Sequence, residues 1–343
     1  MKKTINILIA IFILIFSSNL NAAQINIITT TTDLKSITKS ITGDLAEVTS
    51  INSGKEDPHA LTSRPSFVIK AKTADLWIRI GLELEIGWES AVLRDSRNNR
   101  IQVGAQGHLD ASENIERLDV PEHNAGRENG DIHPQGNPHY WLDPLNGRII
   151  AKNISNRLCQ LFPEHADTFK GNLKSFERTL DEKMFGKELV EKVGSGATLW
   201  LKKTNGQLEE YLTQKNLTAD INSWYGKLLS YKNAPIATYH RSWIYLLRRF
   251  NLKLAGELEP KPGVPPGPKY LVNMSDSLKQ KNLAVILQEP FYSTKAAQMV
   301  SSKTNAEIII CPNTAYGDEN CNSYLEMLDN VISKLSKALS GHK

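Results

Sequence analysis

Residues 137–144 have the sequence Asn-Pro-His-Tyr-Trp-Leu-Asp-Pro, a tight turn bracketed by two prolines. Pro138 and Pro144 fix φ at their own positions and push the preceding residue out of helical geometry. His139 is therefore mounted on a rigid frame and is followed directly by two aromatic residues. Because a metal ligand has to be held in a fixed direction, we interpret His139 as a candidate ligand.

Two further histidines lie in similarly rigid surroundings, far from His139 along the chain. His59 follows Asp57-Pro58, and His240 belongs to the run Tyr-His-Arg-Ser-Trp at 239–243. Zinc fingers use closely spaced ligands, so only the tertiary fold could bring these three together. We predict that His59, His139 and His240 meet around one divalent metal ion. For any one of them taken alone, a structural or solvent-exposed role is the alternative.

The first 23 residues have the features of a secretory signal. Lys2 and Lys3 precede an apolar run at 7–16, and the small residues near 22–23 offer a cleavage point. The apolar run is shorter than a membrane span requires. Since no cysteine lies near the cleavage point, we do not expect a lipid anchor. The sequence therefore predicts export to the periplasm.

Composition and charge limit the kinds of partner. The chain has 343 residues, of which 40% are hydrophobic and 23% charged, as expected for a globular protein of about two domains. Removing Lys2 and Lys3 with the signal lowers the formal charge from +4 to +2. This near-neutral balance gives no case for nucleic acid or an anionic surface as partner. We expect a monomer.

The three cysteines are Cys159, Cys311 and Cys321. An exported protein can hold a disulfide, and Cys311 with Cys321 is the favoured pair because both lie in one C-terminal segment. Three free thiols are the alternative. Metal binding by thiolates is not expected, since the sequence has no Cys-x-x-Cys spacing.

Strands and helices alternate in both halves of the chain. Apolar strands at 25–28 and 47–51 flank a helix at 34–41, and this order is typical of βαβ units with parallel strands. Further strands are expected in the first half at 76–80 and about 101–103, and in the second half at 235–239, 252–258, 283–287 and 308–310. We predict an α/β fold with mainly parallel sheets.

One long helix is expected between the two halves. Apolar residues recur there at spacings of three and four, which is typical of a helix with one buried stripe; they are Phe169, Leu173, Phe176, Leu180 and Met184. We interpret this helix as a stiff connector between two lobes. The alternative is one more packed helix of a single domain.

A polar, glycine-containing stretch at 113–137 precedes the central turn and is expected to be a surface loop. It carries His123 and His133. Either could contact a metal transiently or be a solvated loop histidine, and we leave both roles open.

The predicted strand ends indicate where the metal would lie. Ligands of open parallel sheets bind beyond the carboxyl ends of the strands, and His240 and Glu289 both follow strands of the second half. With His59 and His139 from the first half, the metal would lie in a cleft between two lobes. Three imidazoles and a carboxylate suit tetrahedral Zn²⁺, whereas Mn²⁺ favours a larger share of oxygen ligands.

The ordered motifs resemble those of the zinc/manganese substrate-binding proteins of bacterial ABC transporters. After a signal peptide, the resemblance extends over nearly the whole chain through Asp-Pro-His (57–59), Pro-Ser (65–66), the turn at 137–144, Tyr-His-Arg-Ser-Trp (239–243) and Glu-Pro-Phe-Tyr-Ser (289–293). It implies two α/β lobes, at 24–165 and 191–343, joined by a connecting helix at 166–190. It also implies an interlobe metal site with His59, His139 and His240 as ligands, and delivery of the metal to a membrane permease.

One feature departs from the family pattern. Members usually carry an aspartate ligand after the last strand, where this chain has Cys311-Pro312-Asn313. Glu289 is our candidate for the fourth ligand, with water or Glu257 as alternatives.

Two other classes of protein, a hydrolase and an adhesin, could also use a site of three histidines. A secreted zinc hydrolase could use three histidines and an open metal position, but no His-Glu-x-x-His motif places a general base beside a ligand. An adhesin or structural metal protein could share the same fold. The sequence favours a zinc receptor without enzymatic activity, with manganese as the alternative ion.

Overall fold

The computed structural model describes residues 24–121, 133–194, 196–261 and 263–342. The predicted signal at 1–23 and the loop residue His123 lie outside the described residues. Within these ranges the chain forms two four-stranded sheets, each with all neighbouring strands parallel and with helices packed around it. The predicted α/β class with parallel sheets is confirmed.

The N-terminal sheet has the strand order β2-β1-β3-β4. It begins with the predicted βαβ unit, in which β1 pairs in parallel with β2 on one side and with β3 on the other. The elements of this lobe are β1 (Ile25–Thr29), α1 (Thr32–Thr42), β2 (Ala46–Ser50), α2 (Pro65–Lys72), β3 (Leu76–Arg79), α3 (Glu89–Ser96), β4 (His108–Asp110) and α4 (Pro144–Leu161).

The C-terminal sheet repeats this plan with the order β6-β5-β7-β8. Its strand β7 is buried along its whole length, which is typical of a central parallel strand. The elements are β5 (Pro235–Thr238), α10 (Ile244–Arg249), β6 (Lys253–Glu257), α11 (Pro268–Gln280), β7 (Val285–Gln288), α12 (Lys295–Thr304), β8 (Glu307–Ile310) and α13 (Tyr324–Ser340).

The long helix α5 (Ala166–Phe185) lies between the two sheets in the sequence and buries most of the predicted apolar stripe. It ends at Gly186, whose φ of 91° is unfavourable for residues with a Cβ. The described residues that follow contain four shorter helices, α6 (Lys187–Val193), α7 (Gly196–Thr204), α8 (Leu208–Gln214) and α9 (Trp224–Leu229). One hydrophobic cluster runs from Ile27 of β1 through Leu180 of α5 to Val331 of α13. Helix α5 therefore packs into one hydrophobic core with elements of both lobes.

One strand of the N-terminal sheet was predicted at the wrong place. The apolar residues at 101–103 do not form a strand, because Ile101 ends a short 3₁₀ turn capped by Asn98 and is buried against α2 and α3. The fourth strand is instead His108–Asp110, whose sequence has no apolar run. Among the helices of the described ranges, none is long and apolar enough to span a membrane.

The predicted disulfide is not present, since Cys159, Cys311 and Cys321 are free thiols in the structure. Cys311 packs into the main core after β8, and Cys321 contacts the side-chain amide of Asn330 through its sulfur at 3.2 Å. Burial raises the pKa of both thiols to about 12, so both stay protonated.

A buried carboxyl group joins the start of α1 to the C-terminal lobe. Asp33 accepts hydrogen bonds from the backbone N–H of Ala315 (2.9 Å) and from the hydroxyl of Thr314. Burial raises the pKa of Asp33 to about 7, although both hydrogen bonds act in the opposite direction. The folded protein therefore retains a proton that the unfolded chain releases near pH 4.

Because of this retained proton, Asp33 is expected to make the free energy of unfolding fall by roughly 2 kcal/mol as the pH rises from 5 to 7. Asp33→Asn imitates the protonated acid, since its N–H₂ can donate to Thr314 and its oxygen can accept from Ala315. We expect the variant to match the unaltered chain near pH 5 and to exceed it in stability near pH 8, as measured by urea unfolding. Exposed Asp44→Asn is the control. Parallel pH profiles for Asp33→Asn and the unaltered chain would contradict this account.

Candidate metal centre

The structure brings His59, His139 and His240 together. One ligand atom from each lies within 4.8 Å of the other two, and this is the one such group of His, Cys, Asp or Glu side chains found among the described residues. The Nε2 atoms of His59 and His139 are 3.0 Å apart. Nitrogen ligands of a tetrahedral zinc ion at 2.0–2.1 Å would be about 3.3 Å apart. His59 and His139 are therefore close to the spacing that a single ion requires, and His240 lies within 4.8 Å of both.

His59 is held by a short turn after β2. The turn Pro58–Ala60 is 3₁₀-helical, and the Asp57 carboxylate caps it by accepting from the His59 backbone N–H (2.9 Å). The other oxygen of Asp57 accepts from the hydroxyl of Tyr292 in the C-terminal lobe at 3.1 Å. The position of His59 thus depends on a contact across the cleft.

His139 is fixed by the proline-bracketed turn at 137–144. The side-chain oxygen of Asn137 accepts from the His139 backbone N–H and lies 3.0 Å from its Nδ1. With a proton on Nδ1 donated to Asn137, the lone pair of Nε2 is available to a metal. Burial lowers the pKa of His139 well below its usual value, and the neighbouring histidines add to this effect. The ring is therefore neutral, as a metal ligand must be.

The aromatic residues of the same turn anchor it to both lobes. Tyr140 donates its hydroxyl proton to the carbonyl of Ile80 at the end of the N-terminal sheet (2.7 Å). The indole N–H of Trp141 donates to the carbonyl of Asn313 in the C-terminal lobe (2.7 Å). These two buried hydrogen bonds fix the position of the turn, and with it the position of His139, between the lobes.

His240 follows β5 and is oriented by a carboxylate that sequence reasoning missed. Its Nδ1 lies 2.7 Å from an oxygen of Glu259, and both side chains are buried. Burial lowers the pKa of His240, but the hydrogen bond and charge of Glu259 outweigh burial and raise it. A carboxylate at Nδ1 fixes the tautomer and makes Nε2 a better metal ligand. The signal for Glu259 was its place before Pro260 at a strand end, as with Glu289 before Pro290.

Glu289 lies directly after β7 and is fully buried, but it is not among the ligand atoms that lie within 4.8 Å of one another. Burial raises its pKa to about 7, while the charge of His240 acts in the opposite direction. Glu257, the alternative candidate, forms an ion pair with Arg241 at 2.8 Å.

His133 approaches the same cluster from the loop before the central turn. Its ring centroid is 5.1 Å from that of His59, close to the 5.0 Å between His59 and His139. The side chain is largely buried, so the solvated loop role that the sequence left open does not apply. The site therefore has a fourth imidazole beside the predicted three.

The chain is similar to proteins of metal uptake. The family described as "Zinc-uptake complex component A periplasmic" matches residues 27–184 and 207–338. The manganese ABC transporter substrate-binding lipoprotein PsaA of Streptococcus pneumoniae is 30% identical over 195 residues, which are 53% of this chain and 59% of that protein. The high-affinity zinc uptake system protein ZnuA of Brucella suis is 24% identical over 203 residues, 59% of this chain and 50% of that protein.

The matches to these two relatives thus span between half and three fifths of the relatives' own length. A solved structure described as a crystal structure of ZnuA superposes with a TM-score of 0.66 at 21% identity, covering 92% of this chain and 98% of that one. This likeness shows that the fold is shared.

Proposed function

Because the chain belongs to the family of periplasmic zinc-uptake component A proteins, we propose that it is a metal receptor outside the cytoplasm that passes its ion to the permease of an ABC importer. The observation that carries the proposal is the meeting of three imidazoles, supplied by both lobes, in one cluster. The cluster serves to bind an ion rather than to transform a substrate. The proposed working form is a monomeric periplasmic protein with lobes at 24–165 and 191–343 and the connecting segment at 166–190.

The proposed ligands are the Nε2 atoms of His59, His139 and His240. Asn137 and Glu259 hold the other ring nitrogen of His139 and His240 and so position these two rings. Glu289 is proposed to complete the site through a bound water molecule, because its carboxyl group is buried near His240 without joining the cluster of nitrogens.

The donor set favours Zn²⁺ as the transported ion. Three imidazole nitrogens suit zinc, whereas manganese prefers sites rich in carboxylate and water oxygens. The similar proteins include one named for each ion, a zinc uptake protein of Brucella suis and a manganese transporter lipoprotein of Streptococcus pneumoniae. Metal analysis of the protein purified from the periplasm without added metal tests the choice, and we expect it to contain zinc; manganese in its place would contradict the choice. Simple competition would not decide, because zinc binds more tightly than manganese at most protein sites.

Glu289→Gln is expected to lower zinc affinity by about tenfold, because it removes the negative charge that the ion would stabilise while preserving the shape of the side chain. The metal-free variant should be no less stable to heat, since the glutamine stays neutral where the buried acid has a raised pKa. The exposed Glu307→Gln on β8 is the control for calorimetric titration with zinc. Unchanged affinity in Glu289→Gln would remove this residue from the site and leave a water molecule without a carboxylate behind it as the fourth ligand.

A further inference from the structure

A polar cavity of about 220 Å³ lies between the lobes, apart from the metal centre. None of its lining residues belongs to the histidine cluster. The N-terminal lobe contributes Asn114 and Asp143, and α7 contributes Lys203 and Thr204. The end of α10 and the residues after it complete the wall. At ~30 Å³ per water molecule, the space would hold about seven waters.

Lys203 is the buried cation of this cavity. It is 9% exposed, and its ammonium lies 5.1 Å from the centre of the Tyr225 ring. Across the described ranges, no carboxylate oxygen lies within 4.0 Å of its Nζ. Burial lowers the pKa of Lys203 to about 8, partly offset by the more distant charge of Glu209. At neutral pH the side chain is therefore mostly charged, and lysines that are this buried usually have an anionic partner.

The carboxylates that line the cavity are already paired with arginines. Arg249 binds both oxygens of Asp143, at 2.7 and 2.8 Å, and Arg248 binds Glu116 at 2.7 Å. In each pair the carboxylate and the guanidinium neutralise one another. The ammonium of Lys203 is therefore the positive charge of the cavity that no lining carboxylate balances. The hydroxyl of Thr204 accepts from Arg249 at 3.3 Å and keeps its own proton to donate.

We propose that this cavity binds a small oxyanion, which forms an ion pair with Lys203 and accepts a hydrogen bond from the hydroxyl of Thr204. The oxyanion is either inorganic phosphate or the carboxylate of a small organic acid, since both offer several acceptor oxygens around one negative centre. Arg248, which is half exposed at the cavity and bonds Glu116 through one nitrogen, supplies further donors. A bound oxyanion would join α7 to the end of α10 within the C-terminal lobe. The inference does not depend on the metal site or on the transported ion.

Titration calorimetry of the metal-free protein tests the proposal. Inorganic phosphate and succinate are titrated separately at constant ionic strength, and chloride is the reference anion. We expect saturable binding of at least one probe at one site per chain. Lys203→Met preserves most of the unbranched side chain but removes the ammonium group and its charge, and it should weaken that binding at least about tenfold. The control is Lys202→Met, because the ammonium of Lys202 bonds the side chain of Gln207 at the surface. Oxyanion binding by this variant should equal that of the unaltered chain.

Saturation by phosphate alone identifies a phosphate site, and saturation by succinate alone a carboxylate site. No saturable binding of either probe by the unaltered chain overturns the proposal, as does equal binding by Lys203→Met. If Lys203→Met does not fold, Thr204→Val takes its place, since this residue is exposed and the change preserves its shape. Equal probe binding by Thr204→Val and the unaltered chain then overturns the proposed contacts.

Discussion

Replacing His139 by alanine is expected to weaken zinc binding by about 100- to 1,000-fold. Structural zinc sites with four ligands contribute about 10–16 kcal/mol, so the loss of one ligand removes a quarter of that energy, or two to three decades of affinity. Binding should be weakened rather than abolished, because Asp57 and Glu259 still hold His59 and His240 in place. Competition with a coloured zinc chelator measures the change.

The same loss is expected for His59→Ala and for His240→Ala. His165→Ala is the matched control, since this histidine lies in the turn Pro163–His165 and packs on Phe169 rather than on the cluster. Affinity equal to that of the control in any one of the three variants would exclude that residue as a ligand.

The second large effect is expected on stability. Asp143→Ala should lower the free energy of unfolding by about 3–5 kcal/mol, because it leaves the guanidinium of Arg249 largely buried without its partner. The same carboxylate also caps α4 by accepting from the backbone N–H of Leu145 (2.9 Å), which adds to the loss. Urea unfolding of the metal-free protein measures it.

Asp276→Ala, an exposed change on α11, is the control and should cost less than about 1 kcal/mol. Combining Asp143→Ala with Arg249→Met removes both charges and is expected to recover part of the loss. A loss for Asp143→Ala no greater than for Asp276→Ala would show that this ion pair does not hold the lobes together.

The histidine cluster could be anticipated from the sequence because each ligand is held by its own local turn. The prolines at 58 and 138 set rigid frames, and β5 delivers His240 to the end of a parallel sheet. The apolar strand runs likewise predicted both sheets, since parallel strands are buried on both faces. Local sequence therefore determined which side chains project toward the cleft.

The features that could not be predicted depend on distances between segments. Glu259 orients His240 from another strand end, and nothing near it in the sequence shows which ring nitrogen it faces. Glu289 was correctly expected at the edge of the sheet, but the local sequence could not show that its carboxyl group stays outside the group of three ring nitrogens. Strand β4 was missed because His108–Asp110 has no apolar run and is a strand only through its pairing with β3.

The central claim is that one ion binds between His59, His139 and His240. Anomalous X-ray diffraction at the zinc edge, from crystals of the protein loaded with one equivalent of zinc, tests it most directly. We predict one strong peak in the cleft, about 2.0–2.1 Å from the Nε2 atom of each of the three histidines. A peak bound by fewer than three of these nitrogens, or located outside the cleft, would contradict the account.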